Sequence, residues 1–164
     1  MRVTDHDIAS ALVVGAHDGP SVWAFSGDRY TVKATAADTA GLLGAIDAVI
    51  PPGSGPPEHL HRNEDEYFYV LDGQLEVTTA DRSDTVTPGG VVMLPRGVPH
   101  RFRNVGDRPC RMLLLFLPGG FERYFLEIGM PVGDGRERPQ PSEYPAQIAN
   151  AVRVATDRYG IEFV

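Results

Sequence analysis

Apolar and polar residues alternate in short runs along most of the chain, and residues that favour turns separate these runs. The runs are rich in the β-branched and aromatic residues that suit strands. Many short strands with turns between them are typical of a β-sandwich or barrel, in which closure removes exposed sheet edges. The pattern predicts strands at Leu12–Val14, Ser21–Phe25, Tyr30–Thr35, Leu43–Ile50, Glu66–Leu71, Gln74–Thr79, Val91–Leu94, from His100 onward, and at Cys110–Leu117.

The segments between the strands are interpreted from their turn-forming residues. Asp72-Gly73 favours a tight hairpin turn, and Ala80–Asp84 is interpreted as another turn. Residues 51–57, rich in proline and glycine, are interpreted as a stiff surface loop, because the strand pattern continues on both sides. The first eleven residues show no clear period and are interpreted as an arm or a short lead-in strand.

The period changes after Leu117, where helical spacing replaces alternation. A first helix is predicted to carry one apolar face made of Phe121, Tyr124, Phe125 and Ile128. An apolar helix face of this kind covers either the outer wall of a barrel or its mouth. If the helix covers the mouth, Phe121 and Phe125 would gate a substrate.

Length and composition indicate one domain. The 164 residues suit a single core, and we expect a barrel at about residues 12–118 followed by a helical extension at about residues 119–164. A second helix is predicted in this extension, from Ser142 or Glu143 to about Tyr159, where Gly160 would end it. The only cysteine, Cys110, stands at the head of an apolar run and is interpreted as a buried structural thiol.

Charge and hydropathy exclude several kinds of partner. Asp and Glu number 22 against 15 for Lys and Arg, a formal net charge of −7, so no basic surface is expected for nucleic acid. The apolar run from Met112 to Leu117 is far shorter than the ~20 residues that a membrane helix needs. The first residues also lack the apolar core of a signal peptide. We therefore expect a cytoplasmic protein with no membrane partner.

Candidate metal ligands begin with His59 and His61. Side chains alternate along a strand, so both imidazoles point to the same side and can reach one ion. An antiparallel return of the next strand would bring Glu66 beside them, and Glu64 has the same strand parity as Glu66. His100, which opens a later strand, joins this group only if the sheet closes.

These residues fall into two motifs that resemble those of the cupin superfamily. The first has the spacing G-x5-H-x-H-x4-E-x6-G, and the second has the spacing G-x5-P-x-G-x2-H-x3-N. Every motif position is filled, and the two motifs cover about the middle third of the chain. The matching residues are Gly53, His59, His61, Glu66 and Gly73 in the first motif, and Gly89, Pro95, Gly97, His100 and Asn104 in the second.

The resemblance implies an all-β fold, the cupin jelly-roll barrel or double-stranded β-helix, with one or two C-terminal α-helices. It implies that His59, His61, Glu66 and His100 hold one divalent transition metal near the centre of the barrel. Imidazole with carboxylate suits iron, nickel, cobalt, manganese, copper or zinc, and the sequence does not choose among them. The resemblance also implies a homodimer.

The chain looks most similar to quercetin 2,3-dioxygenase-like cupins, which implies a reaction of O2 with a flavonol-like or other cyclic enol substrate. Glu66 would then be both a metal ligand and the catalytic base, with Glu64 as the rival base. Strand alternation places Phe68 and Val70 on the face of Glu66, and Phe102 on the face of His100. These three residues are candidates to contact the substrate, as are Phe121 and Phe125 of the predicted helix. The alternative is that they are only core residues.

Three other functions remain open for the same ligands. Some cupins are isomerases or polyketide cyclases in which the metal acts only as a Lewis acid. Others bind a small molecule without catalysis. A closed metal site that only stabilises the fold is a further alternative, although structural sites usually include cysteine.

Overall fold

The computed structural model describes residues 11–80, 82–133 and 138–164. Within these residues, strands occupy most of the chain up to Leu117, and both α-helices follow. A short 3-10 helix, Pro141–Glu143, precedes the second α-helix. The elements are β1 (Ser21–Ala24), β2 (Asp28–Ala34), β3 (Gly44–Ile50), β4 (His59–His61), β5 (Asp65–Asp72), β6 (Leu75–Thr79), β7 (Arg82–Val86), β8 (Val91–Leu94), β9 (His100–Asn104), β10 (Cys110–Leu117), α1 (Glu122–Ile128), β11 (Met130–Pro131), α2 (Tyr144–Tyr159) and β12 (Ile161–Phe163).

The strands form two antiparallel sheets that face each other. The larger sheet has the order β11-β1-β2-β3-β10-β5-β8, and the smaller has the order β12-β4-β9-β6-β7. Side chains from the inner faces of both sheets, together with those of α1 and α2, make one hydrophobic core. This arrangement confirms the predicted all-β jelly-roll barrel with C-terminal helices.

Strand β10 shows how the apolar alternation builds the core. Cys110, Met112, Leu114 and Phe116 point inward and are buried, while the residues between them are more exposed. β10 pairs with both β3 and β5, so it is central in the larger sheet. Burial raises the pKa of the Cys110 thiol to about 11, which agrees with a structural role.

Both predicted helices are present. The first turn of α1 is fixed by Glu122, whose buried carboxylate accepts hydrogen bonds from the backbone N–H groups of Ala36 and Gly120. α2 ends at Gly160, which has the left-handed conformation (φ 69°) that favours glycine at a helix C-terminus. None of the helices in the described residues is both long and apolar enough to cross a membrane.

The hairpin predicted at Asp72-Gly73 is wrong, because β5 and β6 lie in different sheets. At this point the chain crosses from the larger sheet to the smaller one. Gly73 has φ 78°, and a Cβ atom on it would lie 2.7 Å from Cα of Cys110. Gly73 therefore answers a close approach between backbones and not the demands of a two-residue turn.

Two further strand predictions are wrong. Residues 82–86, placed partly in a turn, form β7, a polar edge strand that pairs with β6. Its exposed, hydrophilic sequence is typical of a sheet edge protected by charge, and it resembles a turn for that reason. Leu12–Val14 forms no strand and is largely exposed. Residues 1–10, most of the predicted N-terminal arm, lie outside the described residues.

The C-terminal strand β12 was not predicted. It pairs with β4, placing Ile161 opposite His61 and Phe163 opposite His59. The helical extension therefore returns to the barrel and contributes the edge of the smaller sheet.

Candidate metal centre

His59, His61, Glu66 and His100 come together inside the barrel. Each offers one ligand atom, and the four atoms all lie within 4.8 Å of one another. All four side chains are buried. The prediction that these residues converge is therefore supported by the geometry, and their role as metal ligands remains a prediction.

The ligands arrive from both sheets. β4 and β9 are neighbours in the smaller sheet, with His59 directly opposite His100. Glu66 lies on β5 in the larger sheet, where it pairs with Leu94 and Phe116. The predicted antiparallel return of β5 along β4 is therefore wrong, because Glu66 reaches the histidines across the barrel.

Hydrogen bonds fix the orientation of two imidazole rings. Nδ1 of His59 lies 2.9 Å from the carbonyl oxygen of Pro57, and Nδ1 of His100 lies 2.9 Å from that of Val98. A carbonyl oxygen can only accept, so Nδ1 carries the proton in both rings. Nε2 is then left with a lone pair for a metal.

The carboxylate of Glu66 lies between imidazole nitrogens. Its Oε2 atom is 3.1 Å from Nε2 of His100 and 3.6 Å from Nε2 of His61. Burial acts to raise the pKa of Glu66, but the imidazoles of His61 and His100 outweigh it, so this pKa is lowered. Glu66 is therefore ionised at neutral pH.

The histidines respond differently to the same site. Burial lowers the pKa of His59 to about 4, against the opposing charge of Glu66. Burial also acts to lower the pKa of His100, but the hydrogen bond and charge of Glu66 outweigh it, so this pKa is raised. His59 is therefore neutral at neutral pH, the form that binds a metal.

The donor set fits a divalent transition metal. Three imidazoles and one carboxylate suit iron, nickel, cobalt, manganese, copper or zinc, and leave two positions at an octahedral ion. The buried carboxylate supplies negative charge, and two of the rings are held with Nε2 free. Cys110, the only cysteine, lies in the core and not in this cluster.

An apolar cavity of about 100 Å³ opens onto the cluster. His59, His61 and Glu66 form part of its wall. Most of the other lining residues are apolar or aromatic, and they come from both sheets, α1, α2 and β12. They include Phe25, Tyr30, Phe102, Leu114, Phe121, Tyr124, Phe125, Ile148, Val152 and Phe163.

Three of the five predicted substrate contacts line this cavity. Phe102, Phe121 and Phe125 are in its wall, and the Phe121 ring centroid lies 4.6 Å from that of His61. Phe68 and Val70 point inward as predicted, but they are buried in the core and are not among the lining residues. α1 therefore covers the cavity, although a gating role for Phe121 and Phe125 remains a prediction.

Glu64, the predicted rival base, lies behind His61. Its Oε2 atom is 3.4 Å from Nδ1 of His61, the ring nitrogen that faces away from Glu66. Glu64 is buried but does not line the cavity. It is therefore badly placed to take a proton from a substrate.

Several lining residues were not predicted from the sequence. Tyr124 belongs to the same aromatic stripe as Phe121 and Phe125, so that stripe already contained the signal. Tyr30 lies on a predicted strand, but its inward parity alone does not distinguish a cavity wall from core. Phe163 follows from β12, whose three residues are too few to show a period.

Comparisons with known proteins agree with this architecture. The family described as "Cupin domain" matches residues 47–116. The polyketide synthase CurC of Streptomyces cyaneus is 36% identical over 84 residues, which are 51% of this chain and 53% of CurC. Quercetin 2,3-dioxygenase of Bacillus subtilis strain 168 is 27% identical over 107 residues, which are 65% of this chain and 32% of the enzyme. The chain thus spans about half the length of CurC and about a third of the dioxygenase.

A solved structure shows the same fold. KdgF from Halomonas sp. superposes with a TM-score of 0.62 at 18% sequence identity, covering 70% of this chain and 99% of KdgF. At this identity the likeness concerns the fold alone. The matched family, the two filled motifs and the two-sheet barrel lead to one conclusion: the chain belongs to the cupin superfamily.

Proposed function

We propose that the protein is a metal-dependent dioxygenase that cleaves a flavonol-like or other cyclic enol substrate with O2. One observation carries the proposal: a buried cluster of three histidines and one glutamate forms the wall of a cavity that is otherwise mostly apolar and aromatic. Such a cavity suits a flat aromatic substrate, and the cluster suits its oxygen atoms.

The residues of the chain have distinct parts in this reaction. A bound divalent metal would supply Lewis acidity that lowers the pKa of the substrate hydroxyl. Glu66, ionised and facing the imidazoles, would accept the hydroxyl proton. Phe102 and Phe121 would hold the substrate rings and exclude water. Glu66 is therefore the residue that we propose as the catalytic base.

The similarity to quercetin 2,3-dioxygenase supports this proposal. That alignment covers 65% of the chain, against 51% for the alignment with CurC. The small volume of the cavity adds a condition. About 100 Å³ is below the roughly 300–1,000 Å³ of typical ligand pockets, so α1 or its neighbours must move to admit a flavonol.

Oxygen consumption tests the proposal. Protein stripped of metal is reloaded in turn with iron, nickel, cobalt, manganese, copper or zinc, and oxygen uptake is recorded with a flavonol present. We expect uptake that depends on the metal and is lost in Glu66→Gln, whereas Glu76→Gln, outside the cavity, retains it. Absence of uptake with every redox-active ion would contradict cleavage of flavonols.

A second candidate is Lewis-acid chemistry on a polyketide, such as a cyclisation. The similarity to the polyketide synthase CurC favours it, because the identity of 36% exceeds that to the dioxygenase. Here Glu66 would remove a proton from carbon beside a carbonyl, and no oxygen would be consumed. Conversion of a polyketide without oxygen uptake, with zinc as effective as iron, would select this candidate.

A further inference from the structure

His61 differs from the other two imidazoles in what its outer nitrogen faces. Nδ1 of His59 and Nδ1 of His100 each face a backbone carbonyl oxygen, whereas Nδ1 of His61 lies 3.4 Å from Oε2 of Glu64. Both atoms of this last pair are buried, and neither has a hydrogen-bond partner among the described residues. Each is therefore available to the other.

The surroundings leave Glu64 no stronger partner. The nearby guanidinium of Arg96 interacts with Glu64 through its charge, but its hydrogen bonds go to Asp65 and to the carbonyl oxygen of Leu117. The separation of 3.4 Å is a few tenths of an ångström beyond the usual length of a charged hydrogen bond. A small rotation of the Glu64 side chain would close it.

An unpartnered buried carboxylate beside an imidazole has a defined effect on that ring. The carboxylate can only accept, so it favours the tautomer with the proton on Nδ1 and leaves the lone pair on Nε2. It also makes the ring a better donor to a metal. In His61 this lone pair faces Glu66, whose Oε2 atom lies 3.6 Å from Nε2.

We propose that Glu64 is a positioning residue that holds His61 in the tautomer and orientation needed to bind a metal. It acts through His61 and touches neither the substrate nor the reacting atoms. The proposal rests on the metal site of the proposed function and applies equally to a dioxygenase, a cyclase or a binding protein that uses this site.

Metal affinity and the tautomer of His61 test the proposal together. Zinc affinity is measured by competition with a chelator for the wild type, Glu64→Ala, Glu64→Gln and the control Glu76→Ala. We expect Glu64→Ala to bind zinc 10–100-fold more weakly and Glu76→Ala to match the wild type. Glu64→Gln should lose less, because its amide oxygen can accept from Nδ1 without carrying a charge.

Long-range ¹H–¹⁵N NMR spectra of the zinc-loaded and zinc-free proteins report the tautomer of each imidazole. We expect His61 to carry its proton on Nδ1 in the zinc-free wild type and to populate both tautomers in Glu64→Ala. Circular dichroism checks that each variant is folded. Neither measurement involves oxygen uptake, so absence of dioxygenase activity would leave this proposal standing.

Two results would overturn the proposal. One is a zinc affinity of folded Glu64→Ala within twofold of the wild type, with His61 still protonated on Nδ1. The other is a zinc-free wild type in which the proton of His61 lies on Nε2. The second result needs no variant, so it decides the matter even if Glu64→Ala fails to fold.

Discussion

At the scale of single residues, Asp28 carries a charge in an unfavourable place. Its carboxyl is buried at the start of β2 and accepts a hydrogen bond of 2.6 Å from the hydroxyl of Ser54. Burial raises its pKa to about 7, although Ser54, Arg138 and Tyr30 each act to lower it. The carboxyl joins β2 to the loop that leads into β4, so its protonation bears on the stability of this side of the barrel.

This pKa predicts a pH-dependent stability. The folded state holds the Asp28 proton up to about pH 7, while the unfolded state releases it near pH 4. Stability contributed by this group is therefore full below pH 4 and is lost as the pH rises to 7. Asp28→Asn, whose amide oxygen can still accept from Ser54, should remove this loss. We expect the variant to gain on the order of a few kcal/mol relative to the wild type between pH 4 and 7.

Denaturant unfolding at a series of pH values checks this prediction. Asp38→Asn is the control, because Asp38 is exposed and hydrogen-bonded to Thr35, which lowers its pKa. A constant difference between Asp28→Asn and the wild type across this pH range would contradict the raised pKa.

The metal ligands give a second prediction at this scale. His59→Ala and His100→Ala should each lose metal and activity while the barrel stays folded, because the surrounding core does not depend on either ring. Metal content by mass spectrometry and folding by circular dichroism measure the two effects. His17→Ala, an exposed histidine outside the cluster, is the control. Full metal retention in both ligand variants would refute the assignment.

At the scale of elements, β12 supports the strand that carries two of the ligands. β4 has only three residues and pairs with β9 at the single position of His59 and His100. β12 pairs with all three residues of β4, and Arg62 and Glu162 join the two strands by an exposed ion pair. The C-terminus therefore bears on a site that lies about a hundred residues earlier in the chain.

Removal of β12 tests this dependence. A chain that ends at Gly160 should bind zinc more weakly, by about tenfold or more, because β4 loses its partner along one edge. A chain that lacks only Val164 is the control, since Val164 is exposed and follows the strand. Competition with a chelator measures both affinities, and circular dichroism confirms folding. Equal affinity in a folded truncated chain would contradict the prediction.

The sequence predicts this site better than it predicts the elements that surround it. The parity of His59 and His61 is a local property of one strand, so it survives folding unchanged. The approach of Glu66 from the opposite sheet depends on where the chain crosses between sheets, and no local pattern encodes that crossing. β7 was missed because an edge strand is polar, and β12 was missed because it is short.

At the scale of the whole molecule, one face of the larger sheet is unusually apolar. Among strand residues, the large apolar side chains that are exposed all lie on β5 or β8: Tyr69, Leu71, Val91 and Met93. Neighbouring acidic side chains are paired with arginines, namely Asp65 with Arg96, Asp72 with Arg108 and Asp47 with Arg111. This face is therefore apolar and locally neutral, although the chain carries a net charge of −7.

We propose that a second copy of the chain covers this face and forms the expected homodimer. A two-fold axis would place the same face of each copy against the other, and the paired charges would limit the repulsion between two acidic chains. β8 also offers an edge without charged residues, unlike β7.

Val91→Lys tests the dimer, because it places like charges near each other across the axis. Light scattering should show a dimer for the wild type and a monomer for Val91→Lys. Val105→Lys, at an exposed valine in a loop, should remain dimeric. A monomeric wild type at micromolar concentration, or a dimer that Val91→Lys leaves intact, would refute this interface.

The arrival of the four ligands from two sheets has a mechanical consequence. An ion bound to His59, His61 and His100 on one sheet and to Glu66 on the other would act as a rivet between the two layers. By linkage, each increase in free metal would raise the free energy needed to part the layers, and each parting of the layers would release the ion. The coordination sphere would then serve as a strain gauge for the breathing of the barrel.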